Sequence, residues 1–352
     1  MESGYTKSMS DPCLFYRDEE SERTYVWCHV DDTYVCSTTE EGLERFKSAV
    51  KSKFQITVNT DVSEYLGVKM DHRENGDVQL TQPQLLNSLL EEYAEEIENY
   101  HPRGVISAQR VMPEQTEDDM FPMSQQDYLH LEGALIYLTK SRPDISTAVS
   151  FGAVYSAKPT VGAFKELIHC LKYLSVTKGE GLVIRAGVAN RPLILTCYVD
   201  ASYLTHKDSK SHQGFTMSFG TVGSFYSKSS KQKLVATSST HAETRALYTL
   251  IGEIIYVIHL CDELNRPINL PAIVMEDNSA VVAISAEPTG RVGRCKHFLM
   301  LVHYIREQVA AGLIEVCKVV TEDNIADIFT KVVTGQAFRD MAATVLGGTM
   351  KS

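Results

Sequence analysis

Leu193-Ile194-Leu195-Thr196-Cys197-Tyr198-Val199 is an apolar run that ends on an acid, Asp200, followed by Ala201-Ser202. Its length and its apolar and aromatic content predict a buried strand, which places Asp200 at the rim of a sheet. Three further acids stand in comparable places downstream. Glu243, in Ser238-Ser239-Thr240-His241-Ala242-Glu243, opens a helical stretch. Asp277 follows the run Ala272-Ile273-Val274-Met275-Glu276 and precedes Asn278. Asp327 ends Thr321-Glu322-Asp323-Asn324-Ile325-Ala326-Asp327. Taken singly, each reads first as a solvated loop carboxylate. Taken together, over one domain-sized span, they can hold divalent cations. Magnesium is a hard ion that prefers oxygen ligands and keeps some of its waters. Two such ions roughly 4 Å apart can activate a water and stabilise a leaving oxygen in phosphodiester hydrolysis.

Around these acids lie longer motifs: Asp200-Ala201-Ser202, then Ser230-Lys231-Gln232-Lys233 and Ser239-Thr240-His241-Ala242-Glu243. Cys295-Lys296-His297-Phe298, Val302-His303-Tyr304-Ile305-Arg306-Glu307 and Ala326-Asp327-Ile328-Phe329-Thr330-Lys331 follow. In this order they resemble the ribonuclease H region of the Pol polyprotein of copia-type LTR retrotransposons. Upstream, Trp27-Cys28-His29-Val30-Asp31-Asp32 resembles the polymerase Tyr-Val-Asp-Asp motif, with His29 in place of Tyr. Tyr65-Leu66-Gly67-Val68-Lys69-Met70 resembles the Phe-Leu-Gly-Ile hairpin that grips the primer. The stretch from Tyr128 to Ile145, with Gly133, Tyr137-Leu138 and Arg142-Pro143-Asp144-Ile145, resembles the connection that precedes the ribonuclease.

The resemblance implies a fold of the α+β / α/β class in three parts. These are an incomplete reverse-transcriptase palm and thumb at 1–112, a helical connection at 113–190, and a ribonuclease H-like mixed five-stranded sheet with helices at 191–352. It also implies cleavage of the RNA strand of RNA–DNA hybrids with two Mg2+ (or Mn2+) ions and no small-molecule cofactor. Asp200 is expected to bridge both ions, with Glu243 and Asp277 completing one shell and Asp327 the other. Lys231, Lys233, Ser239, Asn278, Lys296 and His297 are candidate contacts to nucleic acid; for Ser239 and Asn278, simple helix capping is an equal alternative. Asp31 and Asp32 are expected to be a polymerase-motif remnant. The third palm carboxylate belongs to an earlier segment of the family, so this chain alone is not expected to polymerise DNA. Departures stand beside the matches: Ser202 for the second Asp of Asp-Ala-Asp, Tyr203 for a Trp, and His241 for a Glu. They leave room for a non-catalytic relic, or for a host-retained protein that binds nucleic acid or the remainder of a Pol protein.

Composition sets outer limits. The chain has 352 residues, 43% of them hydrophobic, enough for two or three domains. No run approaches the roughly 18 consecutive apolar residues of a membrane span, and the N-terminal residues lack an apolar signal core. Eight cysteines form no Cys-x-x-Cys pair, so reduced thiols and an intracellular setting (cytoplasmic particle or nucleus) are expected. The net charge of −11 looks unsuited to nucleic acid. It is unevenly spread: residues 1–190 carry 18 basic and 30 acidic side chains, and residues 191–352 carry 16 and 15. Lys228, Lys231, Lys233, Arg291, Arg294 and Lys296 could neutralise phosphate locally, or be ordinary solvated cations.

Turn and period signals predict the elements. A hairpin is expected to place Asp31 and Asp32 at its tip. Helices are expected over 40–54 and 84–97, a tight turn at Asn75-Gly76-Asp77, a linker over 99–122, and three helices within 124–177. Beyond them, strands are expected at 193–200, 213–219, 223–228, 272–276 and 313–319. Helices are expected at 240–264, 278–286, 297–311 and 324–331.

Overall fold

The computed structural model describes residues 4–19, 22–60, 62–98, 124–185, 192–220, 223–286 and 296–348. The expected linker, Arg291 and Arg294 lie outside these residues, as does the side chain of Lys296.

An antiparallel sheet opens the chain, in the order β1 (Thr6–Lys7), β2 (Leu14–Glu19), β3 (Glu22–His29), β4 (Asp32–Ser37). Helix α1 (Glu40–Lys51) follows. The Thr39 hydroxyl accepts from the Gly42 N–H at 3.1 Å, and Glu40 and Glu41 sit at the positive helix end. The second sheet starts with β5 (Glu64–Tyr65), β6 (Val68–His72) and β7 (Val78–Thr81), and the expected Asn75-Gly76-Asp77 turn joins the last two. The helix expected at 84–97 is two helices, α2 (Pro83–Glu92) and α3 (Ala94–Glu98), divided at Tyr93.

Helices α4 (Gln125–Leu138), α5 (Ser146–Ala153) and α6 (Val161–Val176) supply the three expected helices. A capping box between Ser124 and Asp127 opens α4. The Arg142-Pro143-Asp144-Ile145 motif serves packing. Arg142 and Asp144 form a buried bidentate pair at 3.0 and 2.7 Å, and Tyr173 donates to Asp144 at 2.7 Å. Strand β8 (Leu182–Ile184) then returns to pair with β7.

The third sheet has strands β9 (Leu195–Ser202), β10 (His212–Phe219), β11 (Tyr226–Lys231), β12 (Ala272–Glu276) and β13 (Ile314–Lys318). Their order is β11-β10-β9-β12-β13. The first three strands run antiparallel, and β12 lies parallel to both β9 and β13. This is the expected mixed five-stranded sheet of a ribonuclease H-like fold. Helix α7 (Ser239–Glu263) buries Ala242, Ala246, Leu247, Leu250, Ile251 and Ile254 against Leu195, Cys197, Val199 and Val274. By length and composition α7 could cross a membrane, which the count of consecutive apolar residues did not bring out. Its apolar face is the core of this sheet instead. Helices α8 (Ser279–Ala286), α9 (Leu299–Ala310) and α10 (Gly335–Val345) complete the set.

Two expectations are corrected. Residues 324–331 do not form an α-helix; a 3-10 turn spans Ile325–Phe329. Helix α10 was not anticipated. Its Phe338, Ala342 and Val345 join Ile328 and Phe329 in the core formed by α2 to α6. The far end of the chain therefore finishes the helical core.

Candidate active site

Alternation along β9 sends Leu195, Cys197, Val199 and Ala201 to the α7 side and turns Asp200 to the opposite face. Asp200 is 1% exposed. The parallel register pairs Glu276 with Val199, so Asp277 comes level with Asp200 one step further on. Asn278 then caps α8, its Oδ1 accepting from Ala280 N at 3.0 Å. Glu243 is the fifth residue of α7, whose N-terminus is fixed by the Ser238 hydroxyl accepting from His241 N at 3.1 Å. The positive helix end favours a carboxylate there. The result is a cluster in which one oxygen each from Asp200, Glu243 and Asp277 lies within 4.8 Å of the others. Among the described residues this is the one grouping of three or more such side chains.

Asp327 is brought in by a different device. Asn324, fully buried, donates from Nδ2 to Val199 O at 3.0 Å and accepts from Ala326 N at 3.2 Å. It thereby ties the 3-10 turn to β9. Gly214 faces Asp200 across the β10 register. A Cβ there would lie 2.4 Å from Phe329 Cβ and 2.8 Å from Phe329 O. Only glycine lets the turn come this close. Thr330 donates its hydroxyl to Asp200 Oδ2. Lys331 reaches Asp327 Oδ1 at 2.7 Å and Asp200 Oδ2 at 3.3 Å.

The electrostatics show what is left unbalanced. Burial, then Asp200, Glu276 and Asp277, push the Glu243 carboxyl well above its usual range. Glu276, wholly buried beside them, is pushed up to about 8, chiefly by burial, with Asp277 and Asp200 adding. The N–H of Asn278, 2.8 Å from Glu276 Oε1, works against that rise. Burial and Asp200 push Asp327 up to about 6, against the pull of Lys331. Oε2 of Glu243 and Oε2 of Glu276 have no hydrogen-bond partner. Buried carboxylate oxygens without partners are costly. A hard divalent cation among Asp200, Glu243 and Asp277 fits this all-oxygen donor set and would remove that cost.

Sequence reasoning missed Glu276 and Lys331. Glu276 was read as the end of an apolar strand, but it shares the core-facing alternation of Ala272 and Val274. Lys331 lies four residues after Asp327, the spacing at which helical side chains meet.

The remaining candidates spread around this centre. Ser239 and Lys233 are exposed, and Lys231 pairs with Asp208 at 2.9 Å. His297 is exposed and hydrogen-bonds Thr237. It meets His241 edge-on, and His241 stacks on Phe298 with centroids 4.6 Å apart and planes at 8°. His241 is thus held by stacking and by the Thr237 N–H, 3.2 Å from its Nδ1. Asp31 and Asp32 sit, exposed, at the tip of the β3–β4 hairpin, where Val30 has φ 54°.

Residues 1–103 match the family described as Reverse transcriptase (RNA-dependent DNA polymerase). The chain is similar to the Retrovirus-related Pol polyprotein from transposon RE2 of Arabidopsis thaliana, 27% identical over 97% of this chain and 23% of that protein. The corresponding polyprotein from transposon TNT 1-94 of Nicotiana tabacum is 26% identical over 95% and 25%. The chain is a homologue of copia-type transposon Pol polyproteins. It spans about a quarter of the length of these curated relatives. Among solved structures, LC11-RNase H1 in complex with an RNA/DNA hybrid matches 39% of this chain and 93% of its own, at 12% identity and TM-score 0.30. RNase H1 from Halobacterium salinarum NRC-1 matches 39% and 93%, at 12% and 0.27.

Proposed function

We propose that the C-terminal sheet of this Pol homologue cleaves the RNA strand of RNA–DNA hybrids. The observation that carries this reading is the convergence of Asp200, Glu243 and Asp277 within 4.8 Å, with Glu243 Oε2 buried and unpartnered. Asp200 would be shared between two divalent ions, Mg2+ or Mn2+, with Glu243 and Asp277 completing one shell and Asp327 the other. When bound, such ions supply an activated water and stabilise the leaving oxygen. The chain's own residues do the rest. Thr330 fixes the Asp200 carboxylate, and Asn324 holds the turn that carries Asp327. Ser239, Lys233 and His297, exposed around the α7 N-terminus, would meet sugar and phosphate. Recognition would follow helix shape and 2′-hydroxyls, because an A-like major groove hides the base edges.

Strand preference provides the test. Purified chain with Mg2+ or Mn2+ should cut labelled RNA paired with DNA and leave the same sequence intact as a DNA duplex. Equal cutting of both, or of neither, would contradict the proposal. The non-catalytic reading has its own support: Ser202, Tyr203 and His241 depart from the family pattern, and His241 is accommodated by stacking rather than by chemistry. In that reading the chain binds hybrid, or the remainder of a Pol protein, without cutting.

A further inference from the structure

We propose that Lys331 competes with the second of the two cations, so that the site fills in two unequal steps; this rests on the cation reading given above. The two sides of Asp200 differ. Toward Glu243 and Asp277 lie two buried carboxylate oxygens with no partner, Glu243 Oε2 and Glu276 Oε2. The nearby Lys318 is bound to the Asp277 main-chain oxygen. Toward Asp327 the balance is already made. Lys331 Nζ lies 2.7 Å from Asp327 Oδ1 and 3.3 Å from Asp200 Oδ2, and Thr330 donates to that same Oδ2.

A first ion therefore enters the uncompensated side and displaces no protein cation. A second ion, shared by Asp200 and Asp327, must first move the ammonium away. A ligand that has to displace an internal partner binds more weakly by the fraction of time its site is free. Lys331 can move: its side chain is 39% exposed, and a compact ammonium on a four-carbon stem re-pairs readily. A backbone phosphate arriving beside the acids offers it a new partner. Nucleic acid and the second ion would then help each other bind, and the coupling is reciprocal. The site would stay half-filled until a phosphate backbone is present.

The test is calorimetric titration of Mn2+ into the full chain without nucleic acid. The wild type should show one ion bound tightly and a second at least about tenfold more weakly. Lys331→Met and Lys331→Gln should bind the second ion about tenfold more tightly than the wild type does, equivalent to about 1.4 kcal/mol. The first ion should be unmoved, and Lys331→Arg, which keeps the charge, should behave as the wild type. Circular dichroism selects the variants that fold, and either neutral variant suffices. Two equal sites in the wild type would overturn the role of Lys331, as would a second ion indifferent to both neutral substitutions, while the cation reading stands. No ion bound by the wild type would overturn both together.

Discussion

At Gly214 a single hydrogen atom decides how near the Asp327 turn comes to Asp200. A methyl group there would stand 2.4 Å from Phe329 Cβ, so the turn must retreat. We expect Gly214→Ala to destabilise the fold by roughly 1–3 kcal/mol, as overpacked core positions do, and to reduce hybrid cleavage; urea unfolding and a cleavage assay check the two effects. Much at this scale was legible in the sequence. Acids that end apolar strands or begin helices are recognisable one by one, and Asp200, Glu243 and Asp277 do converge. Glu276 was not legible because its role depends on which face of β12 turns inward, and a five-residue strand states that weakly. Lys331 lies four residues after Asp327, a local spacing that hints at their pair, but the reach of Thr330 and Lys331 to Asp200 depends on the turn that follows Asn324.

At the scale of elements, the strands and most helices followed their periodicity, while the helix expected at 84–97 divides at Tyr93 and the one expected at 324–331 does not form. Residues 324–331 carry helical spacing but form a 3-10 turn, because Asn324 and Phe329 are tied to β9 and packed over Gly214. Helix α10 has no side-chain N-cap and begins on Gly335 with φ 68°. Its formation therefore depends on packing, as for most short helices. Phe338 is 1% exposed and meets Tyr173 edge-on at 5.5 Å. We expect Phe338→Ala to cost about 3–5 kcal/mol, measured by chemical denaturation; a loss below about 1 kcal/mol would contradict this dependence on packing.

A second element-scale prediction concerns the junction of α5 with β10 and β11. His206 Nε2 and His212 Nδ1 lie 3.0 Å apart, His212 Nε2 is 2.8 Å from Ser229 Oγ, and Phe151 packs edge-on against both rings. Burial, with Lys231 adding, holds His206 down to about 4, and burial holds His212 well below its usual value. Asp208 opposes the effect on His206 and Lys210 adds to it. Above the ordinary imidazole value of 6.5, folded and unfolded chains are both neutral here. Below it, the unfolded chain takes up protons that the folded chain excludes. Stability should therefore fall as pH drops from 6.5 toward about 4, by an amount on the order of 3 kcal/mol for His206. The slope of unfolding free energy against pH should flatten in His206→Gln; an unchanged slope would exclude this pair as the cause.

The whole molecule is joined at both ends of the ribonuclease H-like sheet. At one end α10 finishes the helical core. At the other, Glu263 near the end of α7 accepts from Ser8, Met9 and Ser10 of the N-terminal sheet unit. Tyr25 donates to Leu264 O at 2.6 Å, and Asn265 to Asp18 at 3.2 Å. We expect Glu263→Ala to loosen this contact, so that limited proteolysis releases the N-terminal sheet faster while hybrid cleavage continues. Neither junction could be read from the sequence, because each joins residues far apart along the chain whose local patterns are unremarkable. The expected boundaries at 112 and 190 were read from motifs alone, whereas β8 pairs with β7 and α10 packs into the core of α2 to α6.

The central claim is that the clustered carboxylates still perform chemistry. The most direct measurement compares cleavage and binding of one labelled RNA–DNA hybrid, with Mg2+ or Mn2+ and with chelator, by the wild type and by Asp200→Asn. We expect the wild type to cut the RNA strand only with the metal, and Asp200→Asn to bind the hybrid but leave it whole. A folded wild-type chain that binds hybrid and never cuts it, or an Asp200→Asn variant that cuts as well as the wild type, would contradict the claim.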